Sequence, residues 1–124
     1  FNSVETSGAC QVATSLQRCS SLIFLCLSKN RISAHEAAGS PNTVKDLGAA
    51  LGACSSLTEL NMRDNILDGE FIGALHKQNL TQLRRLNLRS CKLPNDAAHH
   101  MASLLNTSRH LEDLDLSQNS ITHT

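Results

Sequence analysis

The 124-residue sequence contains no tryptophan and no tyrosine, and its aromatic side chains are three phenylalanines. Modules that bind single-stranded nucleic acid stack the bases on aromatic rings, so this composition argues against that function. Basic and acidic residues number 11 each, and the net charge is therefore zero. Proteins that bind a nucleic-acid backbone or an anionic membrane surface carry a basic excess. We therefore expect no nucleic acid and no membrane among the partners.

Further absences narrow the chemistry. No run of about 18 apolar residues occurs, so no transmembrane helix is predicted. The five cysteines cannot all pair and form no C-x-x-C motif, which favours a reducing, cytoplasmic compartment over a disulfide or zinc site. No P-loop, G-x-S-x-G or H-E-x-x-H pattern is present. The sequence therefore predicts no enzyme activity, no metal and no cofactor.

An internal repeat dominates the sequence. Four segments fit the pattern L-x-x-L-x-L-x-x-N/C-x-L, with methionine or isoleucine replacing three of the leucines. Their first leucines lie at positions 22, 57, 83 and 111, so they are 35, 26 and 28 residues apart. The segments are LIFLCLSKNRI (22–32), LTELNMRDNIL (57–67), LRRLNLRSCKL (83–93) and LEDLDLSQNSI (111–121).

The stretches between these motifs have apolar residues at helical spacing, which predicts helices with one buried face. Ser40 and Pro41 predict the start of the second helix, because serine caps a helix and proline suits its first turn. Asn95 or Asp96 can start the last helix. The apolar positions are Val44, Leu47 and Leu51 in one stretch and Met101, Leu104 and Leu105 in another.

The motif and its period resemble the ribonuclease-inhibitor-like class of leucine-rich repeats, over nearly the whole chain. The resemblance implies an α/β, right-handed solenoid in which parallel strands line a concave face and helices cover the convex one. We expect residues 1–124 to form one repeat segment of a longer array. The long first spacing predicts a longer loop at 33–42, and the short second spacing predicts a trimmed helix.

Within the motif, counted from its first leucine, the ninth position holds Asn30, Asn65, Cys91 and Asn119. An asparagine amide there can bond to backbone groups of the turn that leaves the strand. The resemblance implies a buried structural ladder at this position, and it tolerates cysteine as the substitute. We therefore expect a structural role for all four residues.

Positions 3, 5 and 7 of the motif alternate with the inward-pointing leucines, so they should line the concave face. One interpretation is a strip that binds a protein partner, centred on Arg63, Arg85 and Arg89. The alternative is a solvated sheet whose charges satisfy one another, and the 33–42 loop is a further candidate binding segment. The partner-binding candidates are Phe24, Glu59, Asn61, Arg63, Arg85, Asn87, Arg89, Asp113 and Asp115.

Other reactive groups are interpreted as structural. Cys19 and Cys54 occupy equivalent CSSL sequences and are expected to be reduced and buried, whereas Cys26 should be the most accessible thiol. The adjacent pair His99 and His100 is expected on an exposed helix surface. Asn79 and Asn106 begin glycosylation sequons, which matter only in a secreted protein.

The sequence therefore favours a protein-interaction module. The style of the repeats resembles the C-terminal arrays of NOD-like receptors, which implies a ligand-sensing or autoinhibitory role in innate immunity. Two alternatives remain: an enzyme regulator resembling Ran GTPase-activating protein or ribonuclease inhibitor, and a cytoskeletal module resembling tropomodulin. Sequence outside this segment would discriminate among them, through a P-loop, an acidic tail or an actin-binding helix.

Overall fold

Helices and short strands alternate along the chain in a computed structural model, which describes residues 5–19, 21–35, 43–77 and 82–119. The four strands pair in parallel in the order β1-β2-β3-β4, and each strand is followed or preceded by a helix. This is the repeating strand–helix architecture that the sequence predicts. The elements are α1 Glu5–Leu16, β1 Phe24–Cys26, α2 Val44–Gly52, β2 Glu59–Asn61, α3 Gly69–Lys77, β3 Arg85–Asn87, α4 Ala97–Thr107 and β4 Asp113–Asp115.

The strand register follows the motif. Phe24, Glu59, Arg85 and Asp113 stand side by side on neighbouring strands, and all of them occupy the third motif position. Neighbouring strands in a sheet lie about 4.8 Å apart. Equal motif positions therefore form rows that cross all four strands, as the repeat predicts.

The leucines of the motif form the core between the sheet and the helices. Leu57, Leu83 and Leu88 are fully buried, as are Leu47 and Leu51 of α2. The helices pack closely because small residues line their contacts, and a Cβ atom on Gly48 would collide with the carbonyl oxygen of Phe71. In the described part of the chain, none of the helices combines the length and apolarity that a bilayer crossing requires.

Two details of the helices differ from expectation. Helix α2 begins at Val44, and its N-cap is Thr43, whose hydroxyl accepts from the N–H of Asp46 while the Asp46 carboxylate accepts from the N–H of Thr43. This reciprocal pair of hydrogen bonds is a capping box, and it places the start of α2 after the predicted start at 40–41. Residues 40 and 41 themselves lie outside the described residues. Leu105 is 49% exposed rather than part of the apolar face. It follows the buried Leu104 directly, so it points about 100° further round the helix.

The turn after each strand uses a left-handed backbone. The eighth motif position has a positive φ in all four repeats, and no glycine occupies it. For residues other than glycine, this backbone conformation costs about 1–2 kcal/mol per residue. The four residues are Lys29 (φ 55°), Asp64 (61°), Ser90 (54°) and Gln118 (57°).

We predict that Lys29→Gly raises the free energy of unfolding by about 0.5–1 kcal/mol, because relief of the left-handed strain exceeds the extra entropy of the unfolded chain. Lys29 is exposed, so little packing is lost. Lys45→Gly, in the exposed part of α2, is the matched control and should lower stability by about 0.5–1 kcal/mol. Urea denaturation checks both variants, and a loss of stability in Lys29→Gly would contradict the prediction.

Candidate protein-binding face and the polar ladder beneath it

The side-chain amide of Asn65 joins two successive turns. Its Oδ1 accepts hydrogen bonds from the backbone N–H groups of Asn30 at 3.1 Å and Ile32 at 3.0 Å. Its Nδ2 donates to the carbonyl oxygens of Leu27 at 2.8 Å and Met62 at 2.9 Å. The side chain is only 3% exposed. One buried amide therefore bonds to four backbone groups of the turns.

Asn119 repeats this arrangement further along the sheet. Its Oδ1 accepts from the N–H groups of Cys91 at 2.9 Å and Leu93 at 3.0 Å, and its Nδ2 donates to the Leu88 carbonyl at 2.8 Å. Each amide oxygen thus reaches back to the turn of the preceding repeat. Asn30 lies in the first of these turns, and its buried Oδ1 has no hydrogen-bond partner among the described residues.

Cys91 takes the ladder position in the third repeat. Its thiol donates to the carbonyl oxygens of Met62 at 3.1 Å and Arg89 at 3.6 Å. Burial raises the pKa of this thiol to about 11, and the backbone N–H of Asn65 offsets the effect only partly. Because the thiolate is the nucleophilic form of cysteine, this thiol is poorly suited to covalent chemistry at neutral pH.

The fifth motif position carries a second set of backbone contacts that the sequence analysis missed. The Oδ1 atoms of Asn61 and Asn87 each accept the N–H two residues ahead, from Arg63 and Arg89, at 3.0 Å. Asp115 does the same for Ser117 at 2.9 Å. The signal was available, since asparagine and aspartate characteristically bond to the backbone two residues on.

Asp115 differs from its two neighbours in carrying a charge. The hydroxyl of Ser117 donates to its Oδ1 at 2.5 Å. That hydrogen bond lowers the pKa of the Asp115 carboxyl, with smaller contributions from the Ser117 backbone and from Arg89 and Arg63. Asp115 therefore remains ionised at neutral pH.

The third motif position forms a row of alternating charge. Arg85 Nη1 lies 3.9 Å from Glu59 Oε1, and Asp113 stands beside Arg85 on the next strand. Within the described residues, Asp113 has no ion pair shorter than 4.0 Å. All three side chains are substantially exposed, so such pairs contribute little to stability.

The exposed sheet face contains a cleft of about 210 Å³, with Leu60 and Leu86 also lining it. Arg63 and Arg89, two of the three arginines at the centre of the predicted strip, do not line the cleft. Arg63 Nε instead lies 3.0 Å from the carboxylate of its neighbour Asp64. Seven of the nine predicted partner-binding residues do line it: Phe24, Glu59, Asn61, Arg85, Asn87, Asp113 and Asp115.

The cysteines are all free, but one expectation about them is wrong. Cys54 is buried and its thiol reaches the carbonyl oxygens of Ala13 and Ala50 at 3.9 and 3.5 Å. Its counterpart Cys19 is exposed. The difference arises because α1 covers Cys54, whereas α1 is itself the outermost described helix. Cys26 is exposed as predicted, so it shares that accessibility with Cys19.

The remaining candidate groups form no metal-binding cluster in the described ranges. No cluster of three or more histidine, cysteine, aspartate or glutamate side chains that could hold a metal ion occurs there. His99 is exposed, whereas His100 is half-buried beside Gly69 and Gly73 of α3, contrary to the expected exposed pair. Asn106 is exposed in α4. Asn79 and most of the 33–42 loop lie outside the described residues.

Comparison with known proteins relates both the sequence and the fold to repeat proteins. The chain is 36% identical over 87 residues to NACHT, LRR and PYD domains-containing protein 12 of Homo sapiens, covering 66% of this chain. It is 32% identical over 138 residues to NACHT, LRR and PYD domains-containing protein 14 of Mus musculus, covering 90% of this chain. No protein-family model matches the chain.

A solved structure supports the fold. Leiomodin-1 Actin-Binding Site 2 superposes with a TM-score of 0.68 over 90% of this chain and 62% of that one, at 19% sequence identity. The chain is a leucine-rich repeat solenoid. It spans only 8% and 14% of the lengths of the two sequence relatives, so the similarity concerns regions of those proteins.

We predict that stability falls at alkaline pH through Cys91. A folded-state pKa of about 11, against 9.0 for the free thiol, means that the folded protein holds the proton more tightly. The contribution is complete below pH 9 and is lost as the pH rises through 11. Since one pKa unit corresponds to about 1.4 kcal/mol, the loss is about 2–3 kcal/mol.

Urea denaturation at a series of pH values between 8 and 11 measures this effect. The chain has no tyrosine, so no phenol titrates over the same range. Cys91→Ala is the control: it lowers stability throughout but should show a shallower decline above pH 9. An equally steep decline in Cys91→Ala would assign the effect to other groups.

Proposed function

We propose that this solenoid is a cytoplasmic protein-interaction module that binds a protein partner through the concave sheet face and has no enzymatic activity. The supporting observation is that its polar side chains fall into two groups, one bonded to the backbone and one exposed at the cleft. The asparagine ladder and the fifth-position turns use their hydrogen-bonding groups on the chain's own backbone. The charged third-position row and Phe24 remain exposed around the cleft.

Similarity to regions of two NACHT, LRR and PYD domains-containing proteins supports a more specific assignment. We propose that the segment belongs to the ribonuclease-inhibitor-like repeats of an innate immune receptor, where it takes part in ligand sensing or autoinhibition. Fold alone does not determine function. The proposal therefore depends on the sequence similarity together with the free concave face.

An actin-binding, tropomodulin-like module is the second candidate. The solved structure with the same fold is that of an actin-binding site of leiomodin-1, which makes actin a defined partner to test. Co-sedimentation with filamentous actin separates the two proposals. Binding that the face variants below abolish would favour the cytoskeletal function. Regulation of an enzyme, as in Ran GTPase-activating protein or ribonuclease inhibitor, has no equivalent support from the comparisons.

We predict that Phe24→Ala combined with Asp113→Ala reduces partner capture about tenfold or more, since truncating anchor residues at an interface commonly costs over 1 kcal/mol each. Both side chains are exposed, so the helical circular dichroism should not change. The measurement is quantitative mass spectrometry of proteins crosslinked to the immobilised chain in cell extract.

The matched control is Leu105→Ala combined with Glu112→Ala. It also removes one exposed apolar and one exposed acidic side chain, but neither residue lines the cleft. Proteins lost from the face variant and retained by this control are specific partners of the concave face. Equal capture by both variants would place the binding surface elsewhere on the molecule.

A further inference from the structure

The concave cleft is acidic at its β4 end. Its lining includes three carboxylates, Glu59, Asp113 and Asp115, against one guanidinium, Arg85. The Arg85 guanidinium pairs with Glu59 at 3.9 Å, which leaves the two aspartates of β4 without a comparably close cation in the described structure. Arg63 pairs with Asp64. Arg89 helps to lower the pKa of Asp115, but it does not line the cleft and forms no ion pair within 4.0 Å among the described residues. A cationic group placed within ion-pair distance of these two aspartates would therefore complement this end of the face.

The opposite end of the same face is apolar. Phe24 on β1 is 53% exposed, and the adjacent Ile23 is 60% exposed. β1 is an outer strand of the sheet, so no described strand covers its far side. Aromatic side chains are enriched where proteins meet. An exposed phenylalanine at the edge of a cleft therefore suits an apolar side chain of a partner.

Amide donors lie between the two ends. The Oδ1 atoms of Asn61 and Asn87 are occupied by the backbone N–H groups of Arg63 and Arg89. Their Nδ2 groups make no hydrogen bond in the described part of the chain, and both residues line the cleft. Each Nδ2 can donate two hydrogen bonds. Such a row of donors suits the carbonyl groups of an extended peptide backbone.

The distance between the two ends of the cleft sets the spacing between the two side chains of a ligand that would reach both. β1 and β4 are separated by three strand spacings of about 4.8 Å, or about 14 Å in all. An extended chain advances about 3.3–3.6 Å per residue. An apolar side chain and a basic side chain of one extended segment would therefore reach both ends when they are about four residues apart.

We propose that the concave face recognises an extended protein segment with an apolar residue on Phe24 and a lysine or arginine, about four residues away, on Asp113 and Asp115. This inference rests on the protein-binding function proposed above and adds the chemical class of the ligand. The segment crosses the strands, and its backbone carbonyls accept from the amides of Asn61 and Asn87. Charge complementarity with the two aspartates favours a basic segment over an acidic one.

The probe is a set of synthetic peptides of the form Leu-Proₙ-Arg with blocked ends. Polyproline advances about 3.1 Å per residue and is comparatively stiff, so the number of prolines sets the distance between leucine and arginine. Binding is followed by NMR titration of the ¹⁵N-labelled 124-residue chain. Peptides with three or four prolines should bind roughly fivefold to tenfold tighter than those with one or nine. Their shift changes should concentrate in β1 and β4.

Two substitutions test the cation site without disturbing the turn. Asp113→Asn combined with Asp115→Asn removes both charges, and asparagine already forms the equivalent turn in β2 and β3. We expect this variant to lose most of the advantage of the matched peptide, by roughly fivefold. The control Glu112→Gln removes a neighbouring charge that pairs with Arg84 at 3.8 Å outside the cleft, and it should bind like the unmodified chain.

The outcomes separate this inference from the function beneath it. Tighter binding of Leu-Proₙ-Glu than of Leu-Proₙ-Arg, no dependence on n, or unchanged binding by the double asparagine variant would each overturn the proposed ligand. If partner capture still depends on Phe24 and Asp113 in that case, the protein-binding function stands and only the ligand class is wrong. If capture is equally insensitive to those residues, both proposals fail.

Discussion

The buried amide of Asn65 is the interaction on which the repeat architecture depends. A turn that leaves a parallel strand carries backbone N–H and C=O groups into the interior, where water cannot satisfy them. A buried donor or acceptor without a partner costs about 1–3 kcal/mol. Asn65 supplies partners to four such groups on two successive turns. The stacking of one repeat on the next is thereby linked to a single side chain.

Cys91 replaces the donor function of the ladder asparagine better than its acceptor function. Its thiol donates to the Met62 carbonyl at 3.1 Å, as an asparagine amide would. Sulfur is a weak acceptor, so it replaces the amide oxygen less well. The turn before it compensates through its backbone, because the N–H of Leu67 donates to the carbonyl oxygen of Cys91 at 2.9 Å. The ladder therefore tolerates cysteine at the cost of one strong acceptor.

The sequence determines the repeat, the register and the ladder positions because each follows from spacing along the chain. Leucines at fixed intervals place equal positions side by side, and the structure confirms this for Glu59 and Arg85. The spacing does not determine which side chains pair with one another. The motif leaves open whether Arg63 lines the cleft or pairs with its neighbour Asp64, and it does not indicate that Thr43 caps α2. Those contacts depend on rotamers and loop paths that the repeat pattern does not constrain.

The difference between inward-pointing and exposed residues also explains why the sequence predicts the fold better than the binding site. Stability comes from residues that point inward or bond to the backbone, and these recur in every repeat. The exposed third-position row changes from phenylalanine to glutamate, arginine and aspartate without altering the register. The side chains on the concave face can therefore vary without loss of the fold.

Hydrogen exchange of individual amides, measured by NMR in Asn65→Ala, tests the ladder most directly. We predict that exchange of the Asn30 and Ile32 amides accelerates by about tenfold or more, because each loses a hydrogen bond of about 1.4 kcal/mol or more. The Cys91 and Leu93 amides, which bond to Asn119, should remain protected relative to global unfolding. Unchanged protection of Asn30 and Ile32 would contradict the central role assigned to the Asn65 amide.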